Sequence, residues 1–400
     1  MRASELIASV GPHPESVAAA WRDHMDAEPP RGSGEPLVDW SHVLVLALRH
    51  QVCRLLWDAL EAASLADRVP VGIAEELCFH ARTTETRHEE LTAALRELAE
   101  AEPEVVARSV LLKGGALLGE YGHPAHRPMN DFDVLFSAAD FEAVEPRFAE
   151  LGYWRKESLN GPTYYRDRAG PGGPLCMDVH VAGPSKYWRP ESALGAWLDD
   201  TEPLTGPGGV LCRRLSPEFE LLNVVTHLHE HLGSWIHTLG DDDIALVRVC
   251  DVELLAERRP VDLERCWRLA VAQGLHGEFA LGLWAVDRLR GGLPGPLSAL
   301  APAVERVAAV GEFVALPGGT AVEWSVPLRE RAFLTDRTDL VFEALHKGLP
   351  DPERIRMADV ENIDAWRNWY QELGARSGYR ERVENLGARA RDLLSGLSVN

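Results

Sequence analysis

From about residue 108 to residue 182, short apolar runs of strand length alternate with helical stretches, and glycine or proline stands at the junctions. "SVLLK" reads as a buried strand. "GGALLGEYG" follows as a short helix, opened by glycines and closed by Gly122 and Pro124. "DFDVLF" reads as a second strand. "SAADFEAVEPRFAELGY" reads as an amphipathic helix with Ser137 as N-cap. "YWRKESL", "TYYRDR" and "LCMDVHV" read as three more strands, with "AGPGGP" as a turn before the last. Interleaving of this kind builds a compact mixed sheet with helical cover.

The flanks carry a different pattern. Residues 1–107 read as helical, and 3.6-period apolar spacing returns from Glu218 in "FELLNVVTHLHEHL" and "ALVRVCDVELLAER". "EPLTGPGGV" (202–210) reads as a loop and boundary, and the stretch from about residue 321 onward as helical and charged. The expected class is α+β. A small mixed sheet over 108–215 forms the core, between helical regions at 1–107 and 216–400.

Charge narrows the function. The formal net charge is −21 over 400 residues. Such a surface repels a polyanion, yet permits a small anionic ligand at a local site. The six cysteines are dispersed with no C-x-x-C pair, as expected of reduced thiols in a cytoplasmic protein. The N-terminus has no apolar signal-peptide region, and no run reaches about 18 apolar residues, so no secretory signal or membrane span is expected.

Asp131 and Asp133 stand at i and i+2, so on a strand both carboxylates leave one face. They are then separated by roughly 6.5–7 Å along the strand, which suits hard divalent cations such as Mg²⁺. The plainer alternative is the exposed edge of a half-buried strand. Lys113-Gly114-Gly115 ends a strand and opens a helix, where backbone N–H groups and a lysine favour an anion. The alternative is a tight turn with a solvated lysine, and the order is not that of a Walker loop. Arg127 either clamps a phosphate or pairs with Asp131 or a neighbour. Asp178 is the third carboxylate that two-metal phosphoryl transfer needs, and it shares a strand face with His180. The alternative for these two is an edge strand in water.

The run "LLKGGALLGEYG…HRPMNDFDVLF…LCMDVHV" resembles the nucleotidyltransferase superfamily of the DNA polymerase β fold, and more closely its bacterial "nucleotidyltransferase family protein" group. That group's pattern is K-G-[AG]-A-L, then R-x-x-x-D-[IF]-D-L-[LV], then D-x-H on a strand. Lys113, Gly114, Gly115, Arg127, Asp131, Asp133, Asp178 and His180 fill its positions. "THLHEHL", "RVCDVELL" and "LPDPERIR" are similar to the group's helical tail. The resemblance implies an enzyme that transfers NMP from an NTP to an acceptor and releases pyrophosphate. Asp131, Asp133 and Asp178 would be catalytic and bind two Mg²⁺ ions, with Mn²⁺ as a substitute. Gly114 and Gly115 would cradle the phosphates, and Lys113 and Arg127 would neutralise them. One departure is Gly-Gly where the wider superfamily often has Gly-Ser, which removes a serine contact to phosphate.

The acceptor is not legible, but a small molecule, peptide or protein fits the charge better than nucleic acid. The Lys-Gly-Gly-x-x-L variant is also similar to toxin-like enzymes that modify transfer RNA, a branch that the negative charge disfavours. A nucleotide-binding or scaffold protein with a decayed site is the non-catalytic alternative, and the three intact acids oppose it. His227 and His231 lie at i and i+4 on one helical face, as metal ligands do, although the spacing is not H-E-x-x-H. Lining a cleft or capping the helix is the other reading. His180, His227, His231 and Asp251 are substrate-side candidates, since the helical lobe faces the cleft in the superfamily that the chain resembles. "GDDDI" (240–244) is expected to be a solvated loop or a helix N-terminus, where carboxylates suit the dipole, and not a metal site. Trp154, Trp188 and Trp197 stack a base or pack in the core.

Overall fold

The computed structural model describes residues 2–26, 38–158, 161–168, 173–181, 194–234, 237–238, 242–315, 321–337, 339–341, 343–344, 379–395 and 397. The chain forms two compact units. The first comprises residues 1–224 and 246–262, and the second residues 225–245 and 263–400. The expected "LPDPERIR" tail motif and Trp188 lie outside the described residues.

The first unit is built on β1 (Val110–Leu111), β2 (Asp131–Leu135), β3 (Trp154–Ser158), β4 (Gly161–Arg166), β5 (Leu175–His180), β6 (Thr201–Thr205) and β7 (Leu211–Leu215). They form one sheet in the order β3-β4-β5-β2-β1-β7-β6. β2 runs parallel to β5 and β1 parallel to β7, while the remaining neighbours are antiparallel. The fold is thus α+β with a mixed sheet. The strand at "SVLLK" is shorter than expected, because Lys113 takes a left-handed φ of 50° and begins the helical turn Lys113–Leu117.

Residues 202–210 correct an expectation. They are not a boundary loop but most of the β6–β7 hairpin. Pro207, Gly208 and Gly209 turn the chain, with φ of 68° and 78° at the two glycines, a region that glycine enters without steric cost.

Helices cover the sheet, and the long one is Val71–Ala101. Its Leu91, Ala94, Leu95 and Leu98 join Phe132 and Val134 of β2 and Met177 and Val179 of β5 in one core. Period-2 alternation therefore sends Asp131, Asp133, Asp178 and His180 to the opposite face. The helix Ala138–Glu150 begins at Ser137, whose Oγ accepts from the Asp140 N–H at 3.1 Å, as its sequence indicated. The six cysteines form no disulfide.

The second unit holds the helices His276–Arg290, Ala301–Gly311 and Tyr379–Leu393. A small antiparallel hairpin, β8 (Phe313–Ala315) with β9 (Ala321–Glu323), interrupts them. β9 falls where only helix was expected. Its central Val322 is buried and pairs with the buried Val314, so the two strands share an apolar core position.

Candidate active site

β2 and β5 pair in parallel with Asp133 opposite Asp178, Asp131 opposite Cys176 and Leu135 opposite His180. This register sets three carboxylates on one patch of sheet. Asp133, Asp178 and His180 each bring a ligand atom to within 4.8 Å of the others. Two carboxylates and an imidazole suit a divalent cation, and Asp131 adds a carboxylate on the same face.

The acids are held by specific partners. Lys113 Nζ donates to Asp133 Oδ1 at 2.6 Å. The fully buried His180 places Nε2 2.9 Å from the same oxygen and 3.7 Å from Asp178 Oδ2. Thr163, directly opposite Asp178 on β4, donates its hydroxyl to Asp178 Oδ1 at 2.8 Å. Burial, joined by the negative charges of Asp133 and Asp178, pushes the Asp131 carboxyl up to about 7 against the pull of Lys113 and Arg127. Burial acts on Asp133 in the same sense. The Lys113 ammonium and the His180 hydrogen bond outweigh it and hold that carboxyl below the usual range. Neighbouring acids with divergent proton affinities are a mark of chemical sites.

Gly114 and Gly115 are both buried, and their first partners are the protein's own side chains. A Cβ on Gly114 would lie 2.5 Å from Met129 Sδ, and one on Gly115 would lie 2.9 Å from the Phe132 ring. The glycines thus let the Lys113 turn lie close on β2 and on the residues before it. Lys113 carries a conformation that costs an L-residue roughly 1–2 kcal/mol, a strain that clusters at functional sites.

Arg127 pairs with Asp251, not with Asp131. Its Nε lies 2.9 and 2.8 Å from the two carboxylate oxygens, and its Nη1 donates to the Pro128 carbonyl. Tyr121 completes the group by donating to Asp251 Oδ1. Asp251 is buried in this cluster.

Thr163, Tyr121 and Arg87 had no sequence signal. Arg87 reaches from the long helix to the carbonyls of Asn130, Gly173 and Pro174, and so ties the approaches to β2 and β5 together. Only the strand register points to Thr163.

His227 and His231 belong to the second unit. There His231 comes together with His237 and Asp242. The acidic run is not wholly solvated: Asp243 is buried and paired with Arg337. Trp197 packs in the core against Phe219, and Trp154 stacks on Tyr165 at the surface.

Among the described residues, no helix is long and apolar enough to cross a membrane. Comparison with curated proteins and with solved structures gives no match. Residues 36–291 match a family described as an uncharacterised nucleotidyltransferase. The matched stretch spans more than half of the chain and contains the whole constellation on β2, β5 and the Lys113 turn. The chain belongs to this uncharacterised nucleotidyltransferase family.

Proposed function

We propose that the protein is a Mg²⁺-dependent nucleotidyltransferase that moves NMP from an NTP onto an acceptor hydroxyl or similar nucleophile, releasing pyrophosphate. Family membership supports nucleotidyl transfer with an NTP substrate. The observation that carries the finer reading is the pairing of Asp133 with Asp178 across parallel strands, with Asp131 on the same face.

Bound magnesium would supply positive charge against the triphosphate and polarise its phosphoryl oxygens. Asp131 and Asp133 would hold it together with phosphate oxygens, and Asp178 would complete a second position. Lys113 and Arg127 would add cationic charge. The N–H groups of Gly114 and Gly115 belong to a first helical turn, which has no intrahelical acceptor for them and so offers donors to a phosphate. The acceptor oxygen attacks the α-phosphorus, the bond to the β-phosphate oxygen breaks, and pyrophosphate leaves with that electron pair. The acceptor proton passes to Asp178 Oδ2, while Thr163 keeps Oδ1 in place. No covalent enzyme intermediate is needed. The charge of −21 favours a small molecule, peptide or protein acceptor over nucleic acid.

The test is incubation with Mg²⁺, each labelled NTP and fractionated cell extract, scoring label transfer and pyrophosphate release beside D131A and D178A. The enzyme reading fails if wild type neither binds NTP nor transfers label with any fraction. The role of Asp178 fails if D178A keeps full activity.

A further inference from the structure

The second unit contains a cluster that nucleotidyl transfer leaves unused. His231 lies in the last turn of the helix Pro217–Gly233, His237 follows it, and Asp242 returns toward both. Nδ1 of His231 lies 3.4 Å from Asp242 Oδ2, and Nδ1 of His237 lies 3.5 Å from the same oxygen. The two imidazole centroids are 3.6 Å apart with planes tilted by 30°. One ligand atom from each of the three residues falls within 4.8 Å of the others.

These separations have a chemical meaning. Ligands at about 2.1 Å from a tetrahedral zinc ion stand about 3.4 Å apart. Octahedral neighbours around magnesium at a similar bond length stand about 3.0 Å apart. The two imidazole–carboxylate separations of 3.4 and 3.5 Å are close to the tetrahedral edge, whereas two rings on one such ion would have centroids about 5 Å apart, so binding would turn the more exposed His237 ring out of its stack on His231. Two imidazoles also select a borderline transition metal over a hard, oxygen-seeking one.

The segment is anchored. Arg337 grips the adjacent Asp243 with two hydrogen bonds, at 3.1 and 2.7 Å. His231 is buried, whereas the side chains of His237 and Asp242 are 17% and 40% exposed and leave a path for an ion. His231 Nδ1 also lies 3.0 Å from the Asp242 carbonyl oxygen. A carbonyl oxygen only accepts, so in this contact Nδ1 carries the proton; ligation through Nδ1 would break the hydrogen bond and move the proton to Nε2.

We propose that His231, His237 and Asp242 bind a divalent transition metal of the zinc class, with the fourth position open to solvent. The ion would fasten the end of the helix to the segment that follows it. His227, which packs edge-on to His231 with centroids 4.5 Å apart, is not in the ligand set.

The experiment uses the full chain, stripped by a chelator and titrated with Co²⁺, then with Zn²⁺. The expected result is one equivalent of cobalt with the visible absorption of a tetrahedral site, displaced by zinc and unchanged in D133N and D178N. H237A and D242N, with folding checked by circular dichroism, should weaken cobalt binding by more than the about 10–100-fold typical of changes behind the ligands. The proposal is overturned if wild type shows no tetrahedral cobalt spectrum. It is equally overturned if folded H237A binds as tightly as wild type, or if D133N or D178N abolishes the spectrum.

Discussion

Arg127 and Asp251, 124 residues apart in sequence, form a buried pair in which one guanidinium nitrogen reaches both carboxylate oxygens. A buried pair adds little net stability over an apolar packing, but removing one partner strands a charge. D251A is therefore expected to cost about 3–5 kcal/mol of unfolding free energy, measured in denaturant. The double variant R127M/D251L should recover most of it. A loss below about 1 kcal/mol for D251A would show that Arg127 is not left as an uncompensated buried charge.

Thr163 acts on Asp178 through a single hydroxyl at 2.8 Å. In an enzyme of the proposed kind, T163V should lower kcat by about tenfold with little change in KM for NTP, and T163S should restore it. Equal loss in the serine and valine variants would contradict a positioning role.

The two glycines differ in what surrounds them. Gly115 faces the rigid, fully buried Phe132 ring, whereas Gly114 faces the flexible end of Met129. G115A should destabilise by about 1–3 kcal/mol, as overpacking does, and G114A by less. Thermal unfolding of the two variants gives the order directly.

Lys113 combines a left-handed φ of 50° with a short bond to Asp133. K113A and K113G both lose the ammonium, but only glycine relieves the backbone. K113G should be about 1 kcal/mol more stable than K113A in denaturant unfolding. Equal stabilities would mean that the turn relaxes when the lysine is removed.

His229 is buried, and burial lowers its pKa from 6.5 to about 4. Between these values the unfolded chain binds the proton that the folded chain refuses. Stability should therefore fall as pH drops from 6.5 to 4, by on the order of 3 kcal/mol from this residue. H229N should flatten that part of the pH–stability curve, read from denaturant midpoints. An unchanged slope would show that His229 takes up its proton in the folded chain.

Local patterning determined much of this protein. Alternation in "DFDVLF" and "LCMDVHV" assigned the acids to one face, and Ser137 marked its helix start, because side-chain direction and N-capping depend on a few consecutive residues. The core elements, the three acids and the Lys113 turn were legible in that way. Tertiary structure decided who meets whom. Asp133 stands opposite Asp178 because Phe132, Val134, Met177 and Val179 pack together under the long helix, which sets the parallel register. Thr163 and His180 became partners of the acids, Arg127 took Asp251, and His231 joined His237 and Asp242. Each of these contacts depends on burial and packing between segments distant in the chain, and single-sequence periodicity carries no record of such pairing.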